Sequence, residues 1–339
     1  MGESSRIVVA GAGSIGCYVG GCLVLGGKDV TFLARPRIAA ALRADGLRVT
    51  DLEGLNRSVL PAGLNITEDP ATALSGAAIV LVTVKSGATD EIARLVDRFA
   101  PADATVVSLQ NGVGNVARIQ AALSGSRRVF AGMVPFNVAL TDGPPLRAHR
   151  ATDGAVIVDQ AMPGLAEALQ VEGLPVAAGA DMPNILWGKL LLNLNNALNA
   201  LSGLQLAAEL SDRRWRRLLA AQMDEALAAM AAANIKPAKL AGVPPGLLPG
   251  ILRLPDWLFR RIARRMLDVD PEARSSMWDD LQLGRLTEID EFQGAILGLS
   301  ERTGMNVPLT RKIVDLVRQA EHQNIGSPKL DPAQIAPDP

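Results

Sequence analysis

The sequence predicts two domains, an α/β domain built on a largely parallel sheet and, after it, an all-helical domain. The chain has 339 residues, more than a single core usually accommodates. Strand-like apolar runs alternate with helical patterns over the first half, whereas the pattern is almost wholly helical from about residue 183 onward. We therefore expect domains at 1–182 and 183–325, followed by a disordered tail at 326–339.

The first element is a β-branched run at 6–10 that breaks at Gly11-Ala12-Gly13-Ser14-Ile15-Gly16 and leads into a helical pattern. A strand, a tight glycine turn and a helix in that order are typical of a Rossmann-type dinucleotide-binding domain. The glycines permit close backbone approach, and the start of the helix offers N–H groups to a pyrophosphate. A purely structural glycine turn is the alternative.

The second strand indicates which dinucleotide is bound. An NAD-specific domain usually ends this strand with an acidic residue that binds the ribose hydroxyls. Here the strand at 29–33 is followed by Ala-Arg-Pro-Arg, which contains no acid. A guanidinium group suits a 2′-phosphate, so we predict NADP(H) as the cofactor and Arg35 as the principal contact. An ordinary solvated arginine is the alternative.

Two further apolar runs, at 78–84 and 104–109, predict strands buried on both faces of a parallel sheet. Lys85 follows the first run, and Asn111 follows the second. Ligands bind at the carboxyl ends of strands in such sheets, so both residues are candidates for ligand contact. A surface lysine and a simple turn at the asparagine are the alternatives.

A polar stripe is predicted on the helix at 187–201, which reads WGKLLLNLNNALNAL. Lys189, Asn193 and Asn196 stand at i, i+4 and i+7 and therefore share one face. Burying unpaired amides and an ammonium group is costly, so a stripe of this kind suits a cleft that holds a polar ligand. A partly desolvated lysine there would have a lowered pKa, which favours proton transfer. A solvated helix face is the alternative.

A second polar series follows later in the helical part. Ser276, Asp280, Gly284 and Glu288 are spaced four residues apart, so they would line one wall if a single helix carried them. An ordinary amphipathic helix explains the acidic residues of this series almost as well.

Composition excludes several classes of partner. The net charge is −1, from 34 basic and 35 acidic residues, so the chain has no overall positive field for nucleic acid. No apolar run approaches the ~18 residues of a membrane span, and MGESS does not resemble a secretory signal, so a cytoplasmic protein is expected. Cys17 and Cys22 are expected to be buried thiols, and no metal site is predicted.

The motifs together resemble the ketopantoate reductase family, also called 2-dehydropantoate 2-reductase. The resemblance covers about residues 6–320 and rests on GAGSIG, LAR, VKS, LQNGVGN, WGKLLLN and SSMWDDLQLGRLTEID in the family's order. It implies reduction of a 2-oxo acid, most notably 2-dehydropantoate, by hydride transfer from NADPH. It leaves the oligomeric state open, with a homodimer as one option.

The resemblance also implies roles for individual residues. Lys189 matches the family's proton donor, and Asn193 matches a substrate-binding asparagine. Further matches are Asn111 near the nicotinamide and substrate, Ser276 on the substrate carboxylate, Glu288 on cofactor or substrate hydroxyls, and Arg35 and Lys85 on the cofactor. Asn196 is a further substrate-binding candidate because it belongs to the polar stripe.

Two positions depart from the family's pattern. Ala197 and Ala207 stand where the family usually has polar residues. If the helix from Trp187 extends through Ala197, a distal hydroxyl of the substrate loses a partner there. A bulkier or less polar 2-oxo acid, reduced to a D-2-hydroxy acid, is therefore an alternative substrate. A protein that binds NADPH as a sensor without turnover is the alternative of a different class.

Overall fold

The structure is a computed structural model that describes residues 5–125, 127–239, 242–263 and 273–336. It divides into two compact units, Met1–Met182 and Pro183–Pro339. The first unit combines parallel strands with helices, and the described elements of the second are helical. The predicted fold class, a Rossmann-type α/β domain followed by a helical domain, is confirmed.

The first unit contains two sheets and six α-helices among its described residues. The strands are β1 Ile7–Ala10, β2 Val30–Leu33, β3 Leu47–Thr50, β4 Asn56–Val59, β5 Asn65–Thr67, β6 Ile79–Val82, β7 Thr105–Ser108, β8 Val129–Met133, β9 Val138–Thr141, β10 Leu146–Arg150, β11 Val156–Asp159 and β12 Val176–Gly179. The helices are α1 Ser14–Leu25, α2 Pro36–Asp45, α3 Pro70–Leu74, α4 Thr89–Phe99, α5 Asn115–Ala122 and α6 Leu165–Leu169, with 3-10 turns at Pro61–Gly63 and Ser86–Ala88.

The larger sheet has the strand order β12-β11-β8-β7-β6-β1-β2-β5. Its pairs are parallel except for the antiparallel pair of β8 with β11. Ala10, the last residue of β1, is in register with Leu33 of β2 and Val82 of β6. The loops after these strands, and after β7 beside β6, therefore leave the sheet at one edge, where ligands bind in this class of fold.

Alternating residues of β1 enter two different apolar cores. Ile7 and Val9 face a core that includes α1 and the smaller sheet, whose strand order is β4-β3-β10-β9. Val8 and Ala10 face a core on the opposite side, built with α3, α4 and α5. A strand buried on both faces needs a continuous apolar sequence, which explains the run at the start of the chain.

The helical unit begins within α7. Its described α-helices are α7 Met182–Asn193, α8 Asn195–Ser202, α9 Leu206–Ser211, α10 Arg213–Ala232, α11 Leu248–Leu252, α12 Asp256–Ile262, α13 Ser276–Gln282, α14 Ile289–Thr303, α15 Pro308–Gln323 and α16 Pro332–Ile335, with a 3-10 turn at Pro245–Leu247. None of the helices described in either unit has the length and apolar character needed to cross a membrane.

The C-terminal segment differs from the sequence prediction. Disorder was predicted for 326–339, but residues 326–336 are packed against the helical unit. The Leu330 N–H donates to the Leu201 carbonyl (2.9 Å), and Lys312 Nζ donates to the Ala336 carbonyl (2.8 Å). Asp331 caps α16, and Ile335 is fully buried. The prediction was wrong because composition alone does not show that one apolar side chain has a place in the core; residues 337–339 lie outside the described part.

The packed tail gives a testable prediction. Ile335→Ala should lower the free energy of unfolding by about 2–5 kcal/mol, because it leaves a cavity in the helical core. Guanidinium denaturation measures this, and Ala333→Ser on the exposed side of α16 is the control, with an expected change below about 0.5 kcal/mol. Equal stability of the two variants would contradict the packing of this segment.

Candidate functional site

The glycine turn after β1 has the shape of a phosphate cradle. Gly11 has φ of 115°, and a Cβ atom there would lie 2.7 Å from the backbone nitrogen of Val84. A Cβ atom at Gly16 would overlap the Gly11 carbonyl oxygen. Gly13, the N-cap of α1, would instead carry its Cβ into open space. Two glycines therefore close the turn, and the third leaves room for a bound group at the start of the helix.

The two arginines after β2 differ in their surroundings. Arg37 is paired with Asp142 at 2.7 Å. Arg35 is exposed and precedes α2, and no ion pair to its guanidinium group occurs within the described ranges. Of the two arginines, Arg35 is thus the better candidate for contact with an anionic ligand group.

A buried network of polar side chains joins the loops after β6 and β7. Gln110 Nε2 donates to the Val84 carbonyl (3.0 Å) and to Thr89 Oγ1 (2.8 Å). Asn115 Nδ2 donates to the Asn111 carbonyl (2.6 Å), and Asn115 Oδ1 accepts from Thr89 Oγ1 (2.9 Å). Because buried amides hold their partners in fixed geometry, the network fixes the backbone beside both predicted ligand contacts in these loops.

Sequence reasoning missed this supporting role. Gln110 and Asn115 flank Asn111 in the stretch QNGVGN, and both are buried in the structure. Lys85 is exposed in the loop after β6, and Gly112, with φ of 92°, turns the chain after Asn111. Asn111 therefore stands in a turn that hydrogen bonds fix on both sides.

In the helical unit, Lys189 lies in a helix that a neighbouring segment holds closely. The Ala238 N–H donates to the Asn184 carbonyl (2.8 Å), which ties that segment to α7. A Cβ atom at Gly188 would lie 2.5 Å from the Ala238 carbonyl oxygen. Glycine immediately before the lysine therefore allows the segment to pack directly on α7.

Lys189 and Glu288 are electrostatically coupled. Burial lowers the pKa of Lys189 from 10.5 to about 8, because desolvation disfavours the ammonium form. Glu288, the residue before α14, opposes that shift, because its negative charge favours the ammonium form. The fold thus brings these two predicted site residues together although 99 positions separate them in the sequence.

The predicted continuous helix over 187–201 is interrupted at Leu194. Helix α7 ends at Asn193 and α8 begins at Asn195, while the Leu194 carbonyl accepts from Gln293 Nε2 (3.0 Å). Lys189 and Asn193 share a face of α7, but Asn196 belongs to α8. Leu194 keeps helical φ and ψ, −56° and −27°, and its N–H donates to the Leu190 carbonyl (3.1 Å), so the interruption is limited to a single residue.

The position of Ala197 also corrects a prediction. The predicted loss of a substrate contact assumed one helix from Trp187 through Ala197, and the structure has two helices, α7 and α8, over this range. Ala197 is fully buried within the helical unit, whereas Asn196 is half-buried. The side chain at position 197 packs inside the helical unit. The presence of alanine there therefore does not indicate whether a distal hydroxyl of the substrate has a hydrogen-bond partner.

Ser276 occupies the exposed first position of α13, directly after the N-cap Ser275. The predicted series through Gly284 to Glu288 is not on one helix. Helix α13 ends at Gln282, and Gly284 has φ of 60°, a left-handed conformation that ends a helix. Ser276 and Glu288 are therefore placed by two separate helices.

A second polar group in this unit was not predicted. Glu209 is buried and accepts from Ser202 Oγ (2.7 Å), from Asn199 Nδ2 (2.9 Å) and from the Asn195 side chain. Burial raises the pKa of Glu209 to about 7, and the three hydrogen bonds oppose that rise. The signal in the sequence was the pair Asn195 and Asn199, which stand one turn apart off the lysine face.

Comparison with known proteins identifies the family. The profile described as "Ketopantoate reductase PanE/ApbA" matches residues 7–162, and the profile of its C-terminal domain matches residues 181–321. The chain belongs to the ketopantoate reductase family. The two matched ranges cover nearly the whole chain, so the predicted family resemblance is confirmed. Members of this family are oxidoreductases.

Named relatives span the same length. A 2-dehydropantoate 2-reductase of Halobacterium salinarum is 29% identical over 325 residues, covering 93% of this chain and 99% of the relative. The enzyme of the same name from Archaeoglobus fulgidus is also 29% identical over 325 residues, covering 93% and 98%. Neither alignment leaves out either of the two units.

Solved structures share the fold. A PanE/ApbA family ketopantoate reductase from Ralstonia eutropha JMP134 has a TM-score of 0.78 at 28% identity, covering 94% of this chain and 99% of that one. A D-mandelate dehydrogenase, solved with NADH and anilino(oxo)acetate, has a TM-score of 0.77 at 19% identity, covering 94% and 99%. At that identity the second likeness shows the fold alone.

The coupling of Lys189 to Glu288 gives a prediction about ionisation. The amine of Lys189 should titrate with a midpoint near its pKa of about 8, and Glu288→Gln should lower that midpoint because it removes the charge that favours the ammonium form. Site-resolved acylation, followed by mass spectrometry across pH 6 to about 11, measures the midpoint relative to the usual lysine pKa of about 10.4. A midpoint near that usual value, or no response to Glu288→Gln, would contradict the assignment.

Proposed function

We propose that the protein is an NADPH-dependent 2-oxo-acid reductase that converts 2-dehydropantoate to pantoate. The observation that carries this proposal is the half-buried Lys189, whose pKa is lowered to about 8 and whose charge Glu288 favours. An amine with a pKa close to neutral pH is suited to act as a general acid. The relatives named 2-dehydropantoate 2-reductase support the choice of substrate.

The first unit supplies the cofactor contacts in this proposal. The turn Gly11–Gly16, which includes Ala12, Gly13, Ser14 and Ile15, would accept the pyrophosphate at the start of α1. Arg35 would bind the 2′-phosphate, and Lys85 would contact the cofactor from the loop after β6. When bound, NADPH supplies a hydride to the carbonyl carbon of the substrate.

Lys189 has two tasks in the reaction. Its ammonium group donates a hydrogen bond to the keto oxygen, which favours the negative charge that develops there, and it then protonates the alkoxide. Glu288 keeps Lys189 protonated at a pH where desolvation alone would favour the neutral amine. A carboxylate such as that of Glu288 can accept hydrogen bonds from hydroxyl groups of the cofactor or substrate.

Four further side chains orient the substrate in this proposal. Asn193 stands one turn after Lys189 on α7, and Asn196 follows on α8. Ser276 presents its hydroxyl from the exposed first position of α13 to the substrate carboxylate. Asn111, held in the buried network after β7, would contact the substrate and the nicotinamide from the first unit.

The positions of the same residues bear on the two alternatives, a different 2-oxo acid as substrate and an NADPH sensor without turnover. A less polar 2-oxo acid was favoured by Ala197 and Ala207, and burial of Ala197 removes the first of these arguments. A sensor that only binds NADPH would need the first unit alone, whereas Lys189 and Glu288 are coupled within the helical unit. Reduction of 2-dehydropantoate therefore remains the better-supported function.

Turnover of a panel of 2-oxo acids tests the function. NADPH oxidation should be observed with 2-dehydropantoate in preference to 2-oxoisovalerate and phenylpyruvate. Lys189→Ala should lower kcat by about 10² to 10⁴-fold, because the general acid is lost, with little change in the affinity for NADPH. Activity should fall as pH rises through the lysine pKa of about 8, since the proton is then missing.

Lys239→Ala, which changes an exposed lysine of the same unit, is the control and should retain wild-type kcat. Preference for phenylpyruvate would establish the alternative substrate class. Binding of NADPH without turnover of any 2-oxo acid would establish the sensor and refute the proposed reaction.

Cofactor choice is tested at Arg35. Arg35→Ala should raise the KM for NADPH by about tenfold or more, since a hydrogen bond to a charged group is worth about 1.5–3 kcal/mol, and it should leave the KM for NADH nearly unchanged. The matched control is Arg37→Ala, two residues along, whose guanidinium group is already paired with Asp142. Equal losses for both cofactors, or a wild-type preference for NADH, would overturn the NADP assignment.

A further inference from the structure

Glu209 is a buried acid that the proposed reaction does not use. It lies on α9, it is 1% exposed, and three side chains donate hydrogen bonds to its carboxylate. All three donors, Asn195, Asn199 and Ser202, belong to α8. Burying a carboxylate with hydrogen-bond partners lowers the free energy of unfolding much less than burying an unpaired carboxylate. An apolar side chain of similar size at this position would cost less still. Its contacts therefore call for a functional explanation.

The Asn199 amide connects Glu209 to the next element. Its Nδ2 donates to the Leu204 carbonyl (3.0 Å) and to Glu209 Oε2 (2.9 Å), while its Oδ1 accepts from the Ser275 N–H (2.8 Å). If the amide were rotated by half a turn, its oxygen would face two acceptors and its NH₂ group would face a donor. Glu209 thus helps to fix the one orientation in which Asn199 accepts from Ser275.

Ser275 passes this constraint to the substrate-binding position. Its hydroxyl donates to the Asn196 carbonyl (2.9 Å) and accepts from the Trp278 N–H (3.2 Å), so Ser275 is held on three sides where α13 begins. Ser276 is the next residue. A shift of the Ser275 backbone therefore moves the exposed Ser276 hydroxyl, and it also moves the carbonyl contact to Asn196.

We propose that Glu209 is a positioning residue which, through Asn199 and Ser275, holds the Ser276 hydroxyl where it meets the carboxylate of the 2-oxo acid. This inference rests on the proposed function, because it uses the role of Ser276 in substrate binding. It adds a residue that touches neither substrate nor cofactor and acts on substrate affinity rather than on proton transfer.

Glu209→Gln is the first test. The amide keeps the size of the side chain but cannot accept all three hydrogen bonds, and it brings donors that face other donors. The KM for the 2-oxo acid should rise about fivefold to tenfold, the size expected when a charge-assisted hydrogen bond is weakened. The KM for NADPH and the value of kcat should stay within about threefold of wild type, because Lys189 and the glycine turn are untouched.

Asn199→Ala is the second variant, since it breaks the link while the Glu209 carboxylate keeps its other two donors. It should raise the same KM. In combination with Ser276→Ala, neither Glu209→Gln nor Asn199→Ala should raise the KM further, because the group that they position is already absent.

The control is Ser300→Ala, which removes another buried hydrogen bond of this unit, from Ser300 Oγ to the Met305 carbonyl (2.6 Å). It should lower stability without changing either KM, as any purely structural loss should. If wild-type protein turns over 2-oxo acids and both Glu209→Gln and Asn199→Ala keep its KM, or if their effects simply add to that of Ser276→Ala, the positioning role is wrong and the proposed function stands. If wild-type protein turns over no 2-oxo acid, both fall.

Discussion

The partial removal of the Lys189 ammonium group from water is the constraint on which the helical unit depends. Desolvation favours the neutral amine, whereas a general acid must carry a proton. Glu288 opposes the loss of that proton from the start of a different helix, so α7 and α14 must be held in a fixed relation. Gly188 contributes to this, because only a residue without a side chain lets the backbone at Ala238 pack so closely on α7.

The helices α7 and α8 are mostly apolar, and their polar residues serve two separate purposes. Lys189 and Asn193 share one face of α7, next to the proposed substrate. Asn195 and Asn199 are used by the buried carboxylate of Glu209. Polar groups are costly to bury unless they are satisfied, and each of these two asparagines bonds a carboxylate within the unit. The unusual stretch WGKLLLNLNNALNAL therefore combines a proposed site face with an internal support.

Local signals in the sequence were sufficient for much of the fold. The glycine turn, the apolar runs of β6 and β7, and the helical period after residue 183 are short-range patterns, and each matches a described element. Long-range contacts were not predictable in the same way. The Leu194 carbonyl, between α7 and α8, accepts from Gln293, and the C-terminal segment packs through the buried side chain of Ile335. Both contacts join residues far apart in the chain.

The candidate site shows the same division. Lys189, Asn193 and Ser276 could be chosen from spacing and family resemblance, because each lies in a recognisable motif. The support around them could not, since Glu209 contacts Asn199 only after α8 and α9 have packed. Gln110 and Asn115 likewise act through backbone carbonyls that a sequence pattern does not show. Residues that position others are thus the part of a site that sequence reasoning finds last.

In the proposed reaction Lys189 meets the keto oxygen of a 2-oxo acid. A crystal structure of the full chain with NADP⁺ and a non-reducible 2-oxo-acid analogue tests it most directly. We expect Lys189 Nζ within about 3 Å of the oxygen that stands for the keto group, which is hydrogen-bond distance. The analogue's carboxylate should meet the Ser276 hydroxyl in the same structure. An analogue bound with its keto-equivalent oxygen away from Lys189 would contradict the account.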